Sequence, residues 1–192
     1  MDFTDGKLEL VYGTMFSGKT THLLTKMSMF SDLGFNILYI NIEFDTRSVN
    51  NYSTHNYFLN SKKNIENNKQ KNINMIKTKN LQNIDFDKYD IILIDEAHFF
   101  DDIVNIVHML LDKKKYIIIS SLIADFEGKK FGNVNELIPI CDEIHRLHAY
   151  CAICAKEKKC RNAIYSKRIN NNKNTIEIGG VEKYIPVCRT HF

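Results

Sequence analysis

Short apolar runs along this chain are separated by longer amphipathic or polar stretches, the rhythm of strands threaded through helices. Leu8 to Tyr12 reads as a buried strand, and Thr21 to Phe30 is long enough for a helix. Asn36 to Ile42 (Asn-Ile-Leu-Tyr-Ile-Asn-Ile) reads as a second strand. Strand, helix and strand in that order make a βαβ unit, hence a parallel pair. Asn74 to Lys77 is a short strand in this reading, and Ile91 to Ile94 and Tyr116 to Ser120 are buried ones. Asp101-Asp102 is placed to cap a helix carrying Ile103, Val104, Ile106, Val107, Leu110 and Leu111 on one side. Val134 to Ile140 predicts a short helix interrupted at Pro139, and Glu143 to Ala149 a last core strand. The pattern changes at Tyr150. Ala163 to Ile169 and Thr175 to Ile178 then alternate like the arms of a hairpin, with Asn170 to Asn174 as the turn. The fold class is α/β, with a parallel-sheet core over 1–149 and a small C-terminal unit over 150–192.

Composition narrows the class without changing the picture. With 192 residues there is room for one full core and a small appendage. Hydrophobic residues are 44% and charged residues 26%, the balance of a globular protein. A net charge of +3 favours no extended nucleic-acid surface. No apolar run approaches a membrane span, and Met1 to Leu10 carries acids where a signal peptide needs an apolar stretch. The cysteines are Cys141, Cys151, Cys154, Cys160 and Cys188. An odd set without a secretion signal points to reduced thiols in an intracellular compartment. The Asn- and Lys-rich stretch from Asn60 to Asn80 reads as a solvated excursion.

The strongest chemical signal is Gly13-Thr14-Met15-Phe16-Ser17-Gly18-Lys19-Thr20, which fits G-x-x-x-x-G-K-[ST] between a strand and a helix. The glycines let the backbone turn and aim N–H groups at phosphate oxygens. Lys19 brings an ammonium to the β/γ phosphates, Thr20 a hydroxyl to Mg²⁺, and the helix its positive dipole end. Asp45 and Arg47 follow the second strand, where open α/β sheets line their ligand crevice, so they are candidates for the same phosphates. Asp95-Glu96 closes the strand Ile91 to Ile94, and an acid there holds Mg²⁺ directly or through water.

Near the C-terminus, Cys151-Ala-Ile-Cys154 and Cys188-Arg-Thr-His191 form two short-spaced ligand pairs joined by a longer loop. That is the pattern of a tetrahedral structural Zn²⁺ site. A redox C-x-x-C is the alternative, and it leaves Cys188 and His191 unexplained. Cys160 matches neither pair and reads as a free thiol, and Cys141 as core.

Taken in order, these pieces resemble the type II thymidine kinases, the cytosolic and viral class with a zinc-bound lasso. The resemblance rests on the Gly13 to Thr20 loop, Asp45-Thr46-Arg47, Asp95-Glu96-Ala97-His98-Phe99-Phe100, Phe126 and Phe131-Gly132. It continues through Tyr165-Ser166-Lys167-Arg168, Gly179-Gly180 with Lys183-Tyr184, and Cys188. It implies a RecA-like P-loop core, ATP-dependent phosphorylation of thymidine at its 5′-hydroxyl to dTMP, feedback by dTTP, a homotetramer and cytoplasmic residence. Glu96 then matches the general base, Thr20, Asp45 and Asp95 the Mg²⁺ side, and Arg47 a phosphate contact. Met15, Phe99, Phe126 and Phe131 match walls around thymine, and Ser166, Ile178, Gly179 and Tyr184 the lasso that closes on the base. Three positions depart from the family pattern: His98 stands where Gln is frequent, Ile123-Ala124-Asp125 replaces an Asp-Gly-Thr-like stretch, and His191 replaces a cysteine.

Two rival functions use the same residues. Asp95-Glu96-Ala97-His98 also spells the box of a helicase class, in which the Glu activates water. Such motors usually need two ATPase-like domains, and this chain fits one; its near-neutral charge also suits a strand-tracking groove poorly. The other rival is a zinc-stabilised nucleotide-binding regulator without catalysis, which leaves a Glu placed just past a strand end without a task.

Overall fold

The computed structural model describes residues 5–44, 72–171, 174, 177 and 179–192. Six strands form one sheet: β1 (Lys7–Gly13), β2 (Ile37–Ile42), β3 (Ile73–Thr78), β4 (Ile91–Ile94), β5 (Tyr116–Ser121) and β6 (Glu143–Leu147). Their order is β3-β2-β4-β5-β1-β6, and every pairing is parallel. Parallel strands are covered on both faces, which is why they read as near-continuous apolar runs. Alternate residues go to different cores. Leu8, Leu10, Leu38, Ile40, Ile92, Ile94, Ile117 and Ile119 pack under α2 (Ile103–Asp112). Val11, Tyr39, Leu93 and Ile118 pack under α1 (Lys19–Asp32), against Leu23, Leu24, Met27 and Phe30. The α/β class and the parallel core are as the apolar pattern predicted.

Five local expectations need correction. The P-loop helix begins at Lys19, inside the motif, and not at Thr21. Asp102 does occupy the N-cap position of α2, yet its side chain caps nothing there. Its Oδ2 instead accepts the N–H groups of Leu81 (2.8 Å) and Gln82 (3.1 Å), tying the preceding loop to the helix start. The segment Val134–Ile140 is a 3₁₀ helix that runs through Pro139 without breaking there. The last core strand ends at Leu147, and Ala149 belongs elsewhere: β7 (Ala149–Tyr150) pairs with β8 (Asn162–Ala163). β9 (Tyr165–Arg168) pairs antiparallel with β10 (Tyr184–Val187), so the hairpin partner lies further along than Thr175 to Ile178. Of that expected arm, residues 175, 176 and 178 lie outside the described residues. Among the described residues no helix is long and apolar enough to cross a membrane.

One residue breaks the apolar pattern of β1. Glu9 is fully buried on the α1 side. Its Oε2 accepts Lys26 Nζ (2.9 Å) and Tyr116 OH (2.7 Å), and its Oε1 meets His22 Nε2 (2.8 Å). Burial alone would raise its pKa; the bonds from His22, Tyr116 and Lys26 outweigh burial and hold it at about 2. The carboxylate is therefore ionised at neutral pH.

Candidate active site

β1 delivers the chain into a loop, and α1 takes it back with Lys19 as its first residue. Gly18 has φ +89°, a left-handed turn that costs glycine nothing. Gly13 is required for space: a Cβ there would lie 2.3 Å from the Leu147 carbonyl oxygen. Lys19 is buried and donates from Nζ to the Thr14 carbonyl across the loop, at 2.9 Å. The buried hydroxyls of Thr14 and Ser17 have no hydrogen-bond partner among the described residues. Two orphaned donors, a buried ammonium and a helix N-terminus make a cradle suited to phosphate.

Asp95, just past β4, is the second anchor. Its Oδ2 accepts Thr20 Oγ1 (2.8 Å) and Tyr39 OH (2.8 Å). Its Oδ1 accepts the Ser120 hydroxyl and the Glu96 N–H (3.0 Å). Burial, with the Glu96 charge beside it, raises the Asp95 pKa against the pull of those hydroxyls. Tyr39 and Ser120 were missed as site residues. Their signal was a polar group within a largely apolar strand, Tyr39 inside β2 and Ser120 near the end of β5.

Glu96 sits at φ +53° and ψ +41°, a left-handed position for a non-glycine residue. Such a conformation costs on the order of 1 kcal/mol or more and persists only where the surroundings enforce it. His98 lies beside this carboxylate. Its Nδ1 accepts the Leu122 N–H at 3.1 Å, which assigns the ring proton to Nε2. Nε2 faces Glu96 Oε2 at 3.6 Å. His98 is thus fixed by the Leu122 backbone and placed next to Glu96.

The aromatic residues divide into two groups. Phe99 and Phe131 meet edge to face, with centroids 5.6 Å apart, and His98 lies 4.7 Å from Phe131. Gly132 has φ +66°, and a Cβ there would come within 2.3 Å of the His98 carbonyl oxygen, so the loop after Phe131 lies directly on the segment after Glu96. Phe126 lies under Arg168, whose guanidinium carbon is 3.8 Å from the ring centroid. Arg168 donates to Tyr184 OH at 2.6 Å, and that hydroxyl donates to the Glu177 carbonyl at 2.8 Å. Ser166, on β9, accepts the Met15 N–H at 2.9 Å, so the C-terminal unit touches the phosphate loop directly. Gly179 is buried. Asp45, Arg47 and Ile178 lie outside the described residues.

Cys151, Cys154, Cys188 and His191 converge as their spacing predicts. His191 Nδ1 is 3.4 Å from Cys151 Sγ, 3.5 Å from Cys154 Sγ and 3.4 Å from Cys188 Sγ; Cys154 and Cys188 sulfurs are 3.9 Å apart. Tetrahedral zinc bonds of about 2.1–2.3 Å put ligand atoms roughly 3.5–3.8 Å from one another. The cluster has that size and that donor set. Cys160 is exposed and outside it, and Cys141 is half-buried beside the core.

Comparison with known proteins agrees with this geometry. A family model described as thymidine kinase matches residues 6–192. The chain is 36% identical to the thymidine kinase of Amsacta moorei entomopoxvirus over 95% of each chain. It is 34% identical to thymidine kinase 1 of Dictyostelium discoideum over 96% of this chain and 76% of that one. It is also 31% identical to the cytosolic thymidine kinase of Bos taurus, over 97% of this chain and 71% of that one.

Proposed function

The chain belongs to the thymidine kinase family, and we propose that it transfers the γ-phosphoryl group of ATP to the 5′-hydroxyl of thymidine, giving dTMP. One observation carries this reading beyond family membership. The Thr20–Asp95 bond ties the phosphate cradle to the strand end that presents Glu96. Phosphoryl transfer asks for positioning and charge neutralisation more than covalent help. Lys19 and the loop N–H groups bind the phosphates of ATP, with Arg47 as a further contact. Glu96 takes the proton of the 5′-hydroxyl. Met15, Phe99, Phe126 and Phe131 hold the flat, methylated base, and Ser166, Ile178, Gly179 and Tyr184 close the lasso over it, which excludes water.

The metals fit the residues present. Thr20 and Asp95, with Asp45, are oxygen donors of the kind Mg²⁺ takes, and Asp95 is a carboxyl whose charge is disfavoured without a cation. A bound Mg²⁺ would neutralise phosphate charge there. Cys151, Cys154, Cys188 and His191 would hold one structural Zn²⁺. The resemblance adds a homotetramer, feedback by dTTP and cytoplasmic residence, and the change of pattern at Tyr150 divides a kinase core over 1–149 from a lasso over 150–192.

The direct test measures ADP and dTMP from Mg-ATP with each deoxynucleoside in turn, and with single-stranded DNA. ATP consumption should require thymidine, with one ADP per dTMP and no response to DNA. Consumption stimulated by DNA without dTMP would return the helicase-like reading.

For zinc, metal analysis should find about one ion per chain. Cys154→Ser should lose it and weaken thymidine binding more than ATP binding, since the Ser166 contact on Met15 belongs to the zinc-tied unit. Cys160→Ser should be nearly silent, its thiol being exposed and outside the cluster. Full zinc occupancy in a Cys151→Ser/Cys188→Ser double variant would remove the site.

A further inference from the structure

Glu9, His22 and His145 come from three different elements, β1, α1 and β6, and none takes part in the phosphate, nucleoside or cysteine sites. Both imidazoles aim Nε2 at the same carboxylate oxygen. His22 Nε2 stands 2.8 Å from Glu9 Oε1, and His145 Nε2 stands 3.2 Å from it. The rings are 5.1 Å apart and tilted by 39°. All three potential ligand atoms lie within 4.8 Å of one another.

We propose that Glu9, His22 and His145 form a second metal site, which takes a divalent transition ion of the zinc–nickel class. Metal bonds of about 2.0–2.1 Å in a tetrahedron place ligand atoms about 3.3 Å apart, close to the two spacings seen here. Two imidazoles and one carboxylate suit Zn²⁺, Ni²⁺ or Cu²⁺, whereas Mg²⁺ and Ca²⁺ prefer all-oxygen sets. The carboxylate is already oriented for this use. Lys26 and Tyr116 hold Oε2, as outer partners of ligating groups do, and leave Oε1 turned to the histidines. Access is open: Glu9 is fully buried, but the side chains of His22 and His145 are 23% and 36% exposed. Water can complete the coordination from that side.

The surroundings set the strength. Lys26 pairs with Glu9 Oε2, and its charge there opposes a dication. Glu143 Oε2, 3.3 Å from His145 Nε2, and Lys7, which pairs with Glu143, face the rim. The site is therefore weaker than the cysteine cluster and fills from added metal. An ion there would link α1, whose first residue is Lys19, to two neighbouring strands, and so would stabilise the fold.

The test uses full-length, tag-free protein with its cysteine cluster zinc-loaded. Ni²⁺ is titrated by calorimetry, and melting is followed with and without Ni²⁺. Wild type should take one further equivalent and melt at a higher temperature in its presence. His22→Gln and His145→Gln should each lose at least about tenfold in affinity, the scale of losing one ligand's worth of coordination, along with the thermal shift. Absence of the extra equivalent, or wild-type affinity in either variant, overturns the site. Should a variant fail to fold, Co²⁺ added to wild type decides the matter. Visible bands without a thiolate charge-transfer band fit an imidazole–carboxylate set; a thiolate band assigns the ion to cysteine and rejects the proposal.

Discussion

Lys19→Ala should abolish nearly all turnover while leaving the protein folded. Its ammonium lies in the phosphate loop, where it is buried and bonded to the Thr14 carbonyl. During transfer, negative charge spreads over the equatorial oxygens of the γ-phosphoryl group, and a fixed cation stabilises that spread more than it stabilises bound ATP. Removing a cation of this kind costs roughly 10³–10⁵ in kcat. The structural loss is smaller. Loss of the hydrogen bond to Thr14 costs about 0.5–1.5 kcal/mol, which is a shift of only a few degrees in a domain of this size. Initial rates at saturating thymidine and Mg-ATP, beside a melting curve without ligand, separate the two effects. Turnover within tenfold of wild type would take Lys19 out of the mechanism.

How far the site could be read from sequence depended on whether its parts are local. The P-loop and the cysteine pairs are contiguous motifs whose spacing already encodes their geometry, and both assemble as read. The sheet was legible because buried parallel strands are apolar throughout, so Ile91 to Ile94 could be little else. Pairing was not legible in the C-terminal unit. Alternation marked Ala163 to Ile169 as a strand, yet the partner of Tyr165–Arg168 is Tyr184–Val187, a segment without a clear alternating pattern that carries Pro186. Asp102 shows the same limit: its cap position was read correctly, but its bonds go to a loop twenty residues back in the chain. The Glu9 cluster was invisible because strand register and helix packing bring its members together. The one trace of it in the sequence is a carboxylate within Lys-Leu-Glu-Leu-Val-Tyr-Gly, where a buried strand has no reason to place one.

Glu96→Gln separates proton transfer from positioning. The amide keeps the size of the carboxylate and can still meet His98 Nε2, through its carbonyl oxygen. It can also tolerate the left-handed backbone to the degree that Glu does, so the segment from Asp95 to Phe99 should stay in place. What it cannot do is accept the proton of the attacking hydroxyl. A positioned general base is worth about 10²–10⁴ in rate, and kcat should fall by that factor. Thymidine affinity should change far less, because the contacts proposed for the base are Phe99, Phe131 and the lasso, and the role proposed for Glu96 is confined to the hydroxyl. Equal losses in kcat and kcat/KM are the signature of an interaction made in the transition state alone. The Asp95 carboxyl offers a second readout. Glu96 contributes, after burial, to holding its pKa up, so removing that charge should let the Asp95 pKa fall. A shift of that carboxyl resonance to lower pH, seen by NMR in the variant, would place the two groups in electrical contact as the structure has them. A Gln variant that keeps wild-type kcat, with the same thymidine affinity, would assign the proton to some other acceptor.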